Sequence, residues 1–297
     1  MYILGIDIGG TAIKHAVLDA EGKVYVQGEQ PVPHDSLQSM GKVLQDIAAK
    51  YSRDYALSGA AISAPGSVES DTGLIKSINA LPYLEGVNVK EEFSRILQLP
   101  TAIENDANCA ALGETWLGAA QGCRDVIFVV CGTGVGGAII KDGRVHGGAH
   151  CFGGEIGFMP LDGEGHFLDD MGSVGGLVRH VEQARQLAPG TLDGRKVFEL
   201  QAAGDEVADR EIKSMYRSLA QAIFGLQYAF DPEVFVIGGG ISSRPGFVEG
   251  IRKQAELFFA KLPFTGIKPE IRACQYGNTA NLLGAVCNFL RQNPEAR

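Results

Sequence analysis

Tyr2-Ile3-Leu4-Gly5-Ile6-Asp7-Ile8-Gly9-Gly10-Thr11-Ala12-Ile13-Lys14 opens the chain, and its reading decides the fold. Tyr2 to Ile8 is an apolar strand that runs into a glycine pair. A glycine-rich turn after a strand fits a dinucleotide-binding unit only if a helix comes next. The next residues are instead Thr11-Ala12-Ile13-Lys14-His15-Ala16-Val17-Leu18-Asp19, rich in β-branched and apolar types, then a turn at Ala20-Glu21-Gly22-Lys23 and a further strand at Val24-Tyr25-Val26. The glycines therefore sit in a β-hairpin, and no G-x-x-x-x-G-K-[ST] loop is present. Such a hairpin is either an ordinary tight turn or a phosphate cradle. In the second case Ile8, Gly9, Gly10, Thr11 and Ala12 offer bare backbone N–H groups and a hydroxyl, Lys14 offers a cation, and Asp7 holds Mg²⁺ through water. His15, alone in its strand, reads as a packing residue.

The same logic returns about 125 residues later. Asp125 to Cys131 is an apolar strand, and Gly132-Thr133-Gly134-Val135-Gly136-Gly137-Ala138-Ile139-Ile140-Lys141 gives a glycine–threonine turn and an apolar return strand. Two such units imply two domains that each begin with the same hairpin. Facing hairpins would hold a triphosphate from both sides of a cleft. A third glycine site, Val234-Phe235-Val236-Ile237-Gly238-Gly239-Gly240, comes after a long helical stretch, Asp205 to Phe230. It reads either as a strand-to-helix turn or as backbone lying against a flat ring such as adenine, where a Cβ would clash.

Between the hairpins lies Glu104-Asn105-Asp106-Ala107-Asn108. A short apolar strand, Leu99 to Ile103, precedes it, and Cys109 to Leu117 has helical spacing. Asp106 thus falls where a strand ends and a helix begins, near free N–H groups and the positive end of the helix dipole. It is either an N-cap, for which one Asn or Asp suffices, or a carboxylate at a substrate pocket, with neighbouring amides for hydroxyls. Strand ends in α/β sheets are where ligands bind. Ser36 to Tyr51 places Met40, Val43, Leu44 and Ile47 on one helical face. Leu57 to Ser63 is a strand ending in the small-residue loop Ser63-Ala64-Pro65-Gly66-Ser67. Asn79 lies on a later loop, where a lone Asn is usually a turn former.

Composition narrows the function classes. The net charge of −9 comes with no basic run, so no electrostatic footprint for nucleic acid exists. Forty glycines are about twice the roughly 21 that average usage gives for this length, which points to tight turns and close backbone–ligand approaches. The six cysteines, Cys109, Cys123, Cys131, Cys151, Cys274 and Cys287, form no C-x-x-C pair and read as reduced, mostly buried thiols. The N-terminus has no basic n-region, and no apolar run reaches 18 residues, so no membrane partner and a cytoplasmic location are expected.

These motifs, in this order and over nearly the full length, resemble the ROK family (repressors, open reading frames and kinases) of sugar kinases, within the actin-like ATPase superfamily. The resemblance implies an α/β chain of two actin-like ATPase (ribonuclease H-like) domains with a cleft between them. The limits expected are 1–117, rejoined by a C-terminal helix within 279–297, and 118–278. It further implies that Asp106 is the catalytic base and that both hairpins, with Gly132, Thr133, Gly134 and Gly136 in the second, bind ATP phosphates. Gly66, Asn79, Asn105, Asp106 and Glu155 would line the sugar pocket.

The departures from the family pattern carry information. Family kinases usually continue from Glu-x-Gly-His to a Cys-x-Cys-Gly-x-x-Gly-Cys cluster that holds one structural zinc. Here the segment is Glu155-Ile156-Gly157-Phe158, and Met159 to Gly176 contains no cysteine. His166 alone is far short of four ligands, and the spacing of His146 and His150 matches no zinc pattern. No zinc is therefore expected, and ordinary packing through Phe158, Phe167 and Met159 should hold the loop. The family's zinc-bound histidine and a later glutamate both contact the sugar near its anomeric end. An alignment with Ser173 at the last cysteine puts Phe158 and Gly175 at those positions. Zinc-less members with this pattern include β-glucoside kinases, which phosphorylate the 6-hydroxyl of disaccharides such as cellobiose. N-acetylmannosamine kinases, glucokinases and fructokinases are the alternatives.

A non-catalytic sugar-sensing ROK protein is the alternative class. Such a repressor would carry an N-terminal helix-turn-helix, whereas this sequence starts in the first strand, and it would be expected to lose Asp106 or the phosphate hairpin. A non-kinase ATPase of the actin-like class would lack the Glu104–Asn108 pattern. Family members are often homodimers, so a homodimer is a further expectation.

Overall fold

The computed structural model describes residues 1–263 and 267–296. Residues 264–266 of the expected second domain, and residue 297 of the first, lie outside them. The chain divides into two compact units. One comprises Met1–Gly122, Val145–Gly153 and Asn278–Arg297, the other Cys123–Arg144 and Gly154–Gly277. The division thus comes after Gly122, five positions beyond the expected limit, and the excursion of Val145–Gly153 into the first unit has no counterpart in the expected limits.

The first unit is built on one sheet. Its strands are β1 (Tyr2–Ile8), β2 (Ala12–Leu18) and β3 (Val24–Pro31), then, after α1 (Leu37–Tyr51), β4 (Leu57–Ala64). A small ribbon, β5 (Ser67–Glu69) and β6 (Leu74–Ser77), and the helix α2 (Val89–Leu97) lead to β7 (Thr101–Asn105), which hands over directly to α3 (Asp106–Trp116). The order across the sheet is β3-β2-β1-β4-β7. β1 and β4 are parallel and central, and both read as near-continuous buried runs, as strands covered on two faces must. β3 alternates half-buried and exposed residues and ends at Pro31; Pro31 cannot donate to a ladder, which suits the edge position.

The second unit repeats the design. β8 (Val126–Cys131) pairs antiparallel with β9 (Val135–Lys141), after which comes the two-residue β10 (Arg144–Val145). Four helices come next: α4 (Leu168–Gly172), α5 (Val174–Ala184), α6 (Gly194–Ala202) and α7 (Glu206–Phe230). Then come β11 (Val234–Gly238), α8 (Phe247–Phe259) and β12 (Ile271–Ala273), and the sheet order is β10-β9-β8-β11-β12. Each sheet carries an antiparallel hairpin extended by two parallel strands, so the repeated hairpin seen in sequence is the start of a repeated topology. The chain ends with α9 (Ala280–Gln292), which returns to the first unit.

Packing there is close at α3 and α9. A Cβ at Gly113 would collide with the Ala280 carbonyl, and one at Gly284 with the Cys109 carbonyl. Glycine is what lets the two backbones approach this far. Among the described residues no helix is long and apolar enough to cross a membrane.

The loop after Glu155 is held differently from expectation. Phe158 is 69% exposed and Phe167 46% exposed, so neither fills a void. Ile156 and Leu168 are buried in the core of the second unit, with Met159 and Leu161 packed against it. The backbone closes the loop through Leu168 N to Met159 O at 3.0 Å and Leu161 N to His166 O at 2.8 Å. Aliphatic side chains do the packing because they alternate inward along this segment, leaving both phenylalanines on the outer side.

Candidate active site

In the first unit the hairpin turn is closed by Gly9 N donating to Ala12 O at 2.9 Å. A Cβ at Gly10 would meet nothing within 4 Å, and Thr11 is exposed, so this turn presents open backbone and a hydroxyl. Asp7 stands directly opposite Lys14 in the β1–β2 register, so both side chains leave the sheet on the same face. Asp7 is nearly buried, and its Oδ1 accepts from Ser63 Oγ at 2.7 Å and from Asn281 Nδ2 at 3.1 Å. Both donors are neutral. Neither carries a sequence signal for this role, since each bond joins residues far apart in the chain.

At the strand-to-helix junction the cap is Asn105, not Asp106. Asn105 Oδ1 accepts from Asn108 N at 3.1 Å, and its Nδ2 donates to Gly66 O at 3.0 Å. Asp106 is the first helical residue, with Oδ1 accepting from Ala107 N at 2.8 Å. Beneath them Glu104 is buried and accepts from Asn105 N at 2.8 Å and Asn108 Nδ2 at 3.0 Å. Burial raises its carboxyl above the usual range, although the amide donors pull the other way. Glu104 and Asn105 therefore build the junction, and the carboxylate of Asp106 is carried on it at the positive end of α3.

Gly66 is required in its own right. It has φ +99°, and a Cβ would meet Ser77 O at 2.6 Å and Ile78 Cβ at 2.9 Å. That approach brings the exposed Asn79 loop beside the Asn105–Gly66 bond. Ser67 Oγ donates to Cys151 O at 3.1 Å, which anchors the Val145–Gly153 segment to the same corner. Thus Gly66, Asn79, Asn105 and Asp106 do gather in one region of the first unit.

In the second unit Gly132, Thr133 and Gly240 line one cavity of about 570 Å³. Three of the other glycines expected at nucleotide are also closely packed against the protein itself. A Cβ at Gly238 would enter the ring of Phe128; Gly239, at φ +86°, would collide with the Cys131 carbonyl. Gly134 has no room beside the Asp169 carboxylate, which accepts from Val135 N at 2.7 Å. Gly136 lies within β9 opposite Val130, beyond the turn. Gly175 also lines the cavity, against the Thr133 carbonyl. The position expected near a sugar's anomeric end lies in the first turn of α5, which the Ser173 hydroxyl caps. Burial pushes the Cys131 thiol up to about 12, so this lining sulfur stays protonated at neutral pH.

Glu155 stands at the start of a short 3₁₀ turn, Ile156–Phe158, and desolvation raises its carboxyl. Phe158 ends that turn. Further along the loop, Asp162, Glu164 and His166 bring potential ligand atoms within 4.8 Å of one another, but all three are exposed and His166 Nδ1 lies 2.6 Å from Asp162 Oδ2.

A family model described as "ROK family" matches residues 3–292. A β-glucoside kinase of Listeria monocytogenes serovar 1/2a is 33% identical over 299 residues, covering 98% of each chain. Among solved structures, a ROK family protein of Streptococcus pneumoniae TIGR4 in complex with sucrose superposes with TM-score 0.90 at 37% identity, covering 99% of this chain and 100% of that one. A ROK family glucokinase of Streptomyces griseus in complex with glucose and AMPPNP gives TM-score 0.80 at 26% identity, covering 96% and 98%.

Proposed function

The chain belongs to the ROK family and is an ATP-dependent sugar kinase, and on that premise we propose that its acceptor is the 6-hydroxyl of a glucose unit substituted at C1, as in a β-glucoside. The observation that carries this reading is Phe158, an exposed ring three residues after Glu155. A site that hydrogen-bonds a free hydroxyl rejects substrates lacking it, whereas an open apolar wall does not. The 33% identity to a β-glucoside kinase supports the same reading, as does a neighbour solved with a disaccharide.

In this mechanism Asp106 accepts the 6-hydroxyl proton as the sugar oxygen bonds to the γ-phosphorus and the bond to the β-phosphate oxygen breaks. Phosphoryl transfer asks for alignment and charge neutralisation more than covalent work, and a base of this kind supplies typically about 10²–10⁴-fold. Gly66, Asn79 and Asn105 orient the acceptor, and Glu155 and Phe158 are the further residues given to the sugar in this reading. Thr11, Lys14 and the N–H groups of the first hairpin turn hold phosphate oxygens.

The Asp7 carboxylate fits a hydrated Mg²⁺: it is a hard oxygen donor whose two bonding partners are neutral. When bound with the nucleotide, Mg²⁺ supplies neutralisation of phosphate charge. The reading includes no structural zinc, because the loop offers one imidazole and two exposed carboxylates, unlike the closed tetrahedral N/S sites of structural zinc. One tightly held zinc per chain by elemental analysis would overturn that part. The acceptor is tested by comparing kcat/KM for cellobiose, an aryl-β-glucoside, glucose and N-acetylmannosamine. A preference of ~10-fold or more for a free monosaccharide, ~1.4 kcal/mol in transition-state binding, would leave the kinase and remove the β-glucoside.

A further inference from the structure

We infer that Arg244, laid over the ring of Phe198, is the plate on which the nucleotide's base stacks, so that this kinase selects purines by their faces and discriminates poorly between adenine and guanine. The inference rests on reading the cavity of the second unit as the nucleotide site.

The guanidinium carbon of Arg244 lies 4.2 Å from the Phe198 ring centroid. Phe198 is only 1% exposed, and its neighbour Val197 is fully buried, so the ring is a fixed support. A guanidinium attracted to an aromatic face loses much of its freedom, and the planar group becomes a rigid shelf. Arg244 and Phe198 both line the 570 Å³ cavity, with Gly132 and Gly240. At those two glycines a Cβ would meet nothing within 4 Å, so a ligand can lie directly on backbone there. The volume falls within the range of small-molecule sites, which is about 300–1,000 Å³.

The chemistry of the lining decides what is read. Leu192, Ile241, Val174 and Val178 supply apolar wall. The lining contains no Asn, Gln or Ser side chain; of its other polar side chains Thr133 and Arg195 are exposed, and Asp193 Oδ1 is engaged as the cap of α6, accepting from Lys196 N at 2.8 Å. No buried, fixed side chain that tells the 6-amino of adenine from the 6-oxo of guanine is thus among the lining. A cationic plane rewards the larger, more polarisable ring, so purines should exceed pyrimidines.

The test is an equilibrium titration of the purified full chain with AMPPNP, GMPPNP and inorganic tripolyphosphate, with CTP as the pyrimidine. The expected result is AMPPNP and GMPPNP affinities within about tenfold, and CTP weaker than either by about tenfold or more. Arg244→Lys keeps the charge and removes the plane. It should weaken both purine nucleotides about tenfold while leaving tripolyphosphate unchanged, and Arg244→Gln should do the same. Loss of tripolyphosphate binding in these variants would make Arg244 a phosphate contact and overturn the plate. So would unchanged AMPPNP binding, or discrimination of GMPPNP beyond a hundredfold. A wild-type chain that fails to bind AMPPNP would instead overturn the nucleotide reading itself. Thermal melting without ligand confirms that each variant is folded.

Discussion

The side-chain amide of Asn281, in the first turn of α9, donates to Oδ1 of Asp7 at the end of β1, 3.1 Å away. With the Ser63 hydroxyl on the same oxygen, it fixes the carboxylate from two directions. α9 therefore does more than cover apolar surface: it delivers a donor to the acid that we place next to the phosphates. Asn281→Ala should raise KM for MgATP about tenfold, the scale of one hydrogen bond to a charged group at ~1.4 kcal/mol. The sugar KM should stay within about twofold. Equal changes in both constants would mean that Asn281 only supports the fold.

The junction of β7 and α3 allows the cap to be tested apart from the base. Asn105 holds the cap, so Asn105→Ala should lower stability by ~1 kcal/mol or more, with the lost Gly66 bond adding to the cap. Asp106→Asn leaves that cap intact. It should reduce kcat on the order of 10²-fold or more, with AMPPNP and sugar binding kept. Near-normal kcat in that variant would remove Asp106 as the base.

How much of this is legible in the sequence depends on where the determinants lie. The hairpins, the start of α3 at Asp106 and the extent of α7 are set by neighbours within a few positions, and periodicity and capping expose them. Ser63 and Asn281 reach Asp7 from 56 and 274 positions away, and no local pattern marks such bonds. Gly238 illustrates another limit. A glycine that admits the Phe128 ring reads in sequence like one that admits a ligand. Phe158 is a third case: hydrophobicity predicts burial, yet the loop turns its aliphatic residues to the core and leaves the ring outside.

His15 gives a pH dependence. It is buried, with Nδ1 2.8 Å from the Tyr51 hydroxyl, and burial, aided by the Lys50 charge, pushes its pKa below the ordinary value. The fold accommodates the neutral ring, so the unfolded chain takes up the proton first as pH falls. Stability from this group is complete above the unfolded value of ~6.5 and declines from there down to the lowered folded value, by at most ~1.4 kcal/mol per pH unit. The urea midpoint of wild type should fall more steeply between pH 7.5 and 5.5 than that of His15→Gln. Parallel profiles would assign the acid sensitivity to other groups.

Phe158 allows acceptor choice to be tested apart from folding. Its ring is mostly exposed, so Phe158→Ala should shift stability by no more than ~0.5 kcal/mol, as for other surface substitutions. If the ring contacts the C1 substituent, the loss falls on cellobiose and aryl-β-glucosides and spares glucose. Stacking of an aromatic face is worth ~0.5–1.5 kcal/mol, which predicts a drop of roughly 2- to 13-fold in the ratio of kcat/KM for cellobiose over glucose. Phe158→His restores a polar partner at the same place and should move the ratio further toward glucose. A ratio unchanged in both variants would show that the ring touches no acceptor, and the preference for substituted glucose would then need another residue to carry it.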